Sequence, residues 1–317
     1  MFDNAQPESG HPMETANPRM AVLIPCYNEE ITIGKVIEDF RRELPSADIY
    51  VFDNNSTDRT AEIAEEKDAI VIKEKRQGKG FVVASMFRKV EADLFIMVDG
   101  DDTYPAETVH SLIKPVLNEE ADMTVGTRLR NPASEAFKPL NLMGNYLVVK
   151  LVNSIFDSNL TDIMSGYRVF NRDFVKNIPL ISQGFEVETQ LVIQSLYYQY
   201  KIQEIDIELR ERPEGSESKL NTFRDGFRVL LTIANIAKAY RPLFFFGIAG
   251  FFILLCGIGL GAIPIVEFFQ TGLITHFPTA ILAMGLVLVS MILFAIGLIL
   301  DSINYRFKEI TQILMKR

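Results

Sequence analysis

The chain has 317 residues and a formal net charge of -9, an acidic balance that argues against the basic excess of a nucleic-acid binder. Its two cysteines (Cys26, Cys256) and three histidines (His11, His110, His276) are too scattered to suggest a disulfide framework or a histidine-built metal centre. Hydrophobic residues make up 48% of the chain, and much of that share lies toward the C-terminus, so a soluble part is expected to precede a greasy one.

Residues Met1–Arg19 are polar, carry Pro7, Gly10, Pro12 and Pro18, and read as a disordered tail without the apolar core of a signal peptide. Alternation then begins. Strands are expected at Met20–Ile24, Asp48–Phe52, Ala69–Ile72, Leu94–Val98 and Met123–Val125. Helices are expected between them at Ile33–Leu44, Thr60–Lys67, Gly80–Val90 and Thr108–Leu117. Strands alternating with helices predict an α/β domain with a mostly parallel sheet covered on both faces. Ligands of such sheets bind beyond the carboxyl ends of the strands. The polar clusters follow those ends: Tyr27-Asn28-Glu29, Asp53-Asn54-Asn55 and Asp99-Gly100-Asp101-Asp102.

From Pro139 onward the pattern predicts helices around a short strand near Tyr167–Phe170, then a strand at Ile202–Ile207 and a polar loop at Arg210–Lys219. Thr222–Tyr240 mixes Arg224, Arg228 and Lys238 with Phe223, Phe227, Val229 and Leu230. It reads equally as a helix on a membrane surface or as an amphipathic helix packed on the domain. Phe244–Val266 and Pro278–Leu300 are almost wholly apolar and contain no Lys or Arg. Each matches the roughly 20 residues that cross a bilayer. Arg228, Lys238 and Arg241 precede the pair, and Arg306, Lys308, Lys316 and Arg317 follow it. The positive-inside rule then predicts an integral membrane protein with the catalytic domain and both termini cytoplasmic.

The chemistry centres on Asp99-Gly100-Asp101. Two carboxylates one residue apart at a strand end can share magnesium or manganese, and Gly100 lets a substrate approach. Taken alone, the triplet reads better as a solvated acidic turn, because Asp-x-Asp is common. The other segments change that weight: Pro25-Cys26-Tyr27-Asn28-Glu29 after the first strand, Asp53-Asn54-Asn55-Ser56-Thr57-Asp58 after the second, Asp162-Ile163-Met164-Ser165-Gly166-Tyr167-Arg168, and Arg212 followed by Gly215-Ser216-Glu217-Ser218-Lys219. In this order they resemble family-2 glycosyltransferases, and more narrowly the dolichol-phosphate mannose synthase group that glycosylates polyprenyl phosphates.

The resemblance spans about Met20 to Arg241. It implies a nucleotide-binding, glycosyltransferase A-type domain at 20–221, followed by a juxtamembrane helix at 222–241, a transmembrane hairpin at 242–303 and a basic tail at 304–317. It also implies that Pro25, Tyr27, Glu29 and Asp53 line the nucleoside pocket, and that Asp99 and Asp101 hold Mg2+ or Mn2+ and the diphosphate with Gly100 between them. Arg128, Arg212, Ser218 and Lys219 would face phosphates. Thr103 stands where the group carries a metal-binding Gln, so its hydroxyl is a candidate ligand. Lys79, in Gly78-Lys79-Gly80, either opens a helix after a glycine turn or reaches the nucleotide phosphates. Asp162, Ser165, Arg168, Glu186 and Glu188 are candidates for sugar or acceptor contacts, the two glutamates being equally plausible as favourable acids at a helix start.

The implied reaction is inverting transfer from a nucleotide sugar, UDP-GlcNAc or UDP-glucose before GDP-mannose, to undecaprenyl or dolichyl phosphate. Self-association through the apolar helices is a further expectation. A processive polysaccharide synthase is disfavoured, because the chain has no Trp for the Gln-x-x-Arg-Trp motif. A catalytically inactive nucleotide sensor is disfavoured by the intact Asp99, Asp101, Arg212 and Lys219.

Overall fold

The computed structural model describes residues 18–127, 139–180, 184, 186–210, 231 and 234–315, with backbone alone at 139–145, 311–312 and 314–315. Arg128, Arg212, Ser218 and Lys219 therefore lie outside the described residues, as do most of the terminal tail and most of the expected juxtamembrane helix.

Strands β1 (Met20–Cys26), β2 (Asp48–Asp53), β3 (Ile70–Lys73), β4 (Leu94–Met97), β5 (Met123–Thr127), β6 (Arg168–Asn171) and β7 (Ile202–Asp206) form one seven-stranded sheet in the order β3-β2-β1-β4-β6-β5-β7. All pairings are parallel except those of β6, which runs antiparallel to both β4 and β5. The expected α/β class and mostly parallel sheet are what the chain adopts.

Alternation along the strands explains the two covered faces. Ala21 and Leu23 of β1, and Phe95 and Met97 of β4, enter one apolar cluster. Val22, Ile24, Leu94 and Ile96 enter the other. Helices α1 (Ile33–Glu43), α2 (Thr60–Glu66) and α4 (Val109–Leu117) contribute to the second cluster. Helices α3 (Lys79–Lys89), α5 (Pro139–Phe156), α6 (Arg172–Asn177) and α7 (Val187–Tyr198) contribute to the first. Fully burying one such aliphatic or aromatic side chain stabilises the fold by about 1.5–3 kcal/mol.

Strand β1 runs past its expected end, through Pro25 to Cys26. Its pairing with β4 stops at Leu23, while its pairing with β2 continues to Cys26 opposite Asp53. Pro25 thus sits where β1 has only one neighbour, and its missing N–H costs no ladder bond there. Beyond these ends the polar turns gather on one side of the sheet.

Helices α8 (Pro242–Thr271, 30 residues) and α9 (Phe277–Met315, 39 residues) form an antiparallel hairpin. Their lengths, about 45 and 58 Å, exceed the roughly 30 Å hydrocarbon core of a bilayer. Phe252, Ile258, Phe269 and Leu298 stay exposed, as lipid-facing side chains do. By length and composition both helices can span a membrane.

The last turns of α9 reach the sheet domain. Tyr197 on α7 donates its hydroxyl to the Asn304 carbonyl at 3.1 Å, and Lys308 lies over the Tyr197 ring at 5.3 Å. The described part of the preceding helix, residues 234–240, buries Ile236 and Ala237. Ile236 joins the first apolar cluster, with Tyr240 packed against it, so this end of the segment touches the domain.

Candidate active site

Each side chain of the site is placed by a strand end and a tie between turns. Asp53, the last residue of β2, is buried, and its Oδ1 accepts the Ser56 N–H at 3.1 Å. Asn54 is the tie to the glycine loop. Its Nδ2 donates to the carbonyls of Glu74 (2.9 Å) and Arg76 (2.8 Å), and its Oδ1 accepts the Gly78 N–H at 2.8 Å. Gly78 has φ 136, a conformation that disfavours any side chain, and it turns the chain so that α3 begins at Lys79. Two hydrogen bonds from Arg76 hold the Glu74 carboxyl down to about 2, which keeps this loop ion-paired at neutral pH.

Lys79 is thereby delivered to Asp99. Its ammonium lies 2.6 Å from Asp99 Oδ1 and 2.5 Å from Glu188 Oε1. The lysine side chain is 12% exposed and that of Glu188 5%. Burial opposes the charge on Lys79, but the two carboxylates outweigh it, and its pKa is raised. Glu188 Oε2 is buried and has no hydrogen-bond partner among the described residues. Of the two glutamates at the start of α7, Glu188 is the one in the site. Glu186 is exposed, and its Oε1 accepts the Gly184 N–H at 3.1 Å.

The Asp-Gly-Asp turn is braced from α1, where Thr32 donates its hydroxyl to the Gly100 carbonyl at 2.6 Å. Asp101 is buried, and its Oδ1 accepts both the Thr103 N–H (3.2 Å) and the Thr103 hydroxyl (2.6 Å). Thr103 thus orients Asp101 in this structure and lies beside it, at the position where sequence offers its hydroxyl as a metal ligand. Glu29 starts the turn into α1, its N–H donating to Thr60 Oγ1 at 2.8 Å; Tyr27 is exposed at the rim and Pro25 half-buried.

The Asp162–Arg168 segment forms the opposite wall. Glu204 of β7 accepts the N–H groups of Thr161 and Asp162 at 2.7 and 2.9 Å. Asp162 accepts the Met164 N–H at 3.1 Å, and Ser165 Oγ accepts the Tyr167 N–H at 3.3 Å. Arg168 is 0% exposed and donates to the carbonyls of Ser165 and Ile163, both at 2.8 Å. Asp162, Ser165 and Arg168 accordingly shape this wall from inside, although sequence had offered them as sugar or acceptor contacts. Tyr104 accepts the Gly166 N–H at 2.9 Å. The outcome is that Gly166 lies against the Asp99 carboxylate: a Cβ there would fall 2.7 Å from Asp99 Cγ. Arg168→Met should cost about 3 kcal/mol of stability, since it leaves two buried carbonyls without their donors. Denaturant unfolding of the purified protein measures this, and a loss under about 1 kcal/mol would contradict it.

Among the described residues no three His, Cys, Asp or Glu side chains converge as a ready-made metal cage. The donors at hand are two carboxylates, Asp99 and Asp101. That set suits magnesium or manganese, which take one or two carboxylates and complete their shell with water and substrate phosphate. The pocket already stabilises a cation, the Lys79 ammonium, between carboxylates.

Comparison with known proteins gives the family and the fold. The family model "Glycosyl transferase family 2" matches residues 21–178. Glycosyltransferase AglJ of Haloferax volcanii is 33% identical over 291 residues, covering 92% of this chain and 95% of that protein. The chain belongs to glycosyltransferase family 2. A dolichyl-phosphate hexose transferase of the same organism is 30% identical over 222 residues, covering 70% of this transferase and 95% of that relative. Among solved structures, glucosyl-3-phosphoglycerate synthase from Mycobacterium tuberculosis, in complex with Mn2+, UDP-glucose and phosphoglyceric acid, shares the fold with a TM-score of 0.58 at 19% identity, covering 71% of this chain and 80% of that one.

Several residues of the transferase site were invisible to sequence reading. Tyr104 and Glu204 act across gaps of 62 and 42 residues, and nothing local marks them; Asn54 stood in a motif, but its tie to the glycine loop 24 residues away did not show. Gly166 was visible as part of a motif, but its contact with Asp99 was not.

Proposed function

We propose that this transferase moves a hexosyl group from a nucleotide sugar to a polyprenyl phosphate at a membrane surface. The observation that carries the proposal is one chain holding both the Asp99-Lys79-Glu188 cluster at the strand ends and an apolar hairpin whose second helix docks onto α7. Similarity to the dolichyl-phosphate hexose transferase supports the same acceptor.

In this reading residues 20–221 catalyse, 222–241 lie at the membrane surface, 242–303 span it, and both termini are cytoplasmic. Pro25, Tyr27, Glu29 and Asp53 line the nucleoside pocket. Asp99 and Asp101 hold Mg2+ or Mn2+, which neutralises charge on the leaving diphosphate when bound. Lys79 keeps Asp99 and Glu188 in place. Glu188 Oε2 faces a sugar hydroxyl. Arg128, Arg212, Ser218 and Lys219 add positive and donor groups for the phosphates. The acceptor phosphate has a second pKa of about 6, so it arrives as a dianion and needs no strong general base. The bond from the anomeric carbon to the donor diphosphate breaks as the bond to an acceptor phosphate oxygen forms, with inversion.

Arg212→Ala and Lys219→Ala should each lower turnover by about tenfold to a thousandfold, beyond any loss in nucleotide affinity. Steady-state kinetics beside nucleotide titrations measure this, and wild-type turnover in both variants would remove them from the site. The donor is tested by offering purified protein and polyprenyl phosphate a panel of labelled UDP- and GDP-sugars. UDP-GlcNAc or UDP-glucose should label the organic phase. Labelling from GDP-mannose alone would replace that donor, and binding without transfer from any donor would favour a nucleotide sensor.

A further inference from the structure

The turn that carries Asp101 is locked by charges that the reaction itself does not use. Asp102, the next residue, has φ 57 and is buried, a left-handed conformation that aspartate tolerates better than most residues. Two cations hold it: Lys35 Nζ at 2.7 Å and Arg210 Nη1 at 3.3 Å from its Oδ1. Arg210 does more. The same Nη1 lies 3.0 Å from Asp39 Oδ2, and its Nη2 grips both oxygens of Glu107 at 2.7 and 2.8 Å. Its backbone N–H donates to the Thr103 carbonyl at 2.9 Å. Thr103 in turn gives its own N–H and hydroxyl to Asp101. One residue just past β7 therefore spans α1, the Asp-Gly-Asp turn and the short helical turn Ala106–Thr108 that precedes α4.

We infer that Arg210 is a positioning residue for the diphosphate and metal site, fixing the Asp102–Thr103 backbone so that Asp101 presents its carboxylate. The inference rests on the reading of Asp101 given above. A planar fork suits this task, because one side chain must satisfy carboxylates from three elements at once. Without it, among the described residues, Asp39, Asp102 and Glu107 retain Lys35 and Arg42 against three negative charges. The buried Asp102 then turns toward water. Thr103 moves with it, and Asp101 loses its two donors.

The test is retention of Mn2+ in the presence of UDP by the purified full-length chain, measured by electron paramagnetic resonance. Arg210→Ala should weaken Mn2+ retention by about tenfold and raise by about as much the Mn2+ concentration that half-saturates transfer. Asp102→Gly supplies the left-handed turn without cations, so in that background Arg210→Ala should lose most of its effect. That loss of coupling separates positioning from a general loss of fold. If Arg210→Ala does not fold, Arg210→Lys, which keeps a charge but not the fork, is compared in the same two backgrounds. Unchanged Mn2+ retention, or an equal loss in both backgrounds, would overturn the inference. Failure of the wild-type chain to retain Mn2+ with UDP would instead sink the reading of the site.

Discussion

Asp101→Asn should lower transfer by a factor of about a thousand or more, equivalent to about 4 kcal/mol of transition-state stabilisation, while leaving the fold within about 1 kcal/mol of wild type. The substitution keeps size and shape. Its carbonyl oxygen can still accept from the Thr103 N–H and hydroxyl, as Asp101 Oδ1 does at 3.2 and 2.6 Å, so the turn has no reason to rearrange. What disappears is one negative charge in a buried position. Removing the divalent cation by chelation should silence the wild type in the same way, and Mg2+ or Mn2+ should restore it. Kinetics with and without chelator measure both effects. Turnover within tenfold of wild type in the variant would show that Asp101 is a structural acid only.

Gly166→Ala should cost turnover on the order of a hundredfold to a thousandfold. The added methyl would lie 2.7 Å from Asp99 Cγ, closer than packed carbons approach. Neither side yields easily. Gly166 is tied by its N–H to Tyr104, and the carbonyl before it accepts from Arg168. Asp99 is tied to Lys79 at 2.6 Å. The carboxylate is the softer of the two, since it rotates about its own side-chain bonds, so the methyl should swing Asp99 off Lys79 rather than unfold the wall. Stability should fall by only about 1–3 kcal/mol. Thermal unfolding alongside kcat separates the two effects. A variant with wild-type kcat would mean that Asp99 does not need its present orientation.

Much of the fold was legible because the strands are short apolar runs with abrupt polar ends. Met20–Ile24 and Leu94–Val98 announce buried parallel strands, and the observed elements differ from expectation mainly at their ends. The antiparallel direction of β6 was not legible: Arg168-Val169-Phe170-Asn171 carries no sign of its direction, which comes from pairing with β4 and β5. Asp99, Asp101 and Lys79 stood out in the sequence because carboxylates and a lysine follow strand ends and a glycine turn; that Lys79 pairs with Asp99 did not. Arg168 misled, since a charged residue in a motif suggests a ligand contact, whereas here the guanidinium is buried and holds the backbone. Arg210 and Asp102, separated by 108 residues, look like ordinary surface charges until the fold brings them together.

The acceptor is the centre of this account, and one measurement addresses it directly. Purified transferase is incubated with Mn2+, the preferred nucleotide sugar and either polyprenyl phosphate, the corresponding polyprenol or 3-phosphoglycerate, and each product is identified by mass spectrometry and phosphorus NMR. The account predicts a single-phosphorus lipid phosphodiester carrying one sugar, formed in step with nucleoside diphosphate release, with no product from polyprenol or 3-phosphoglycerate. Sugar transferred to a soluble phosphate acceptor while the lipid phosphate stays unmodified would contradict it.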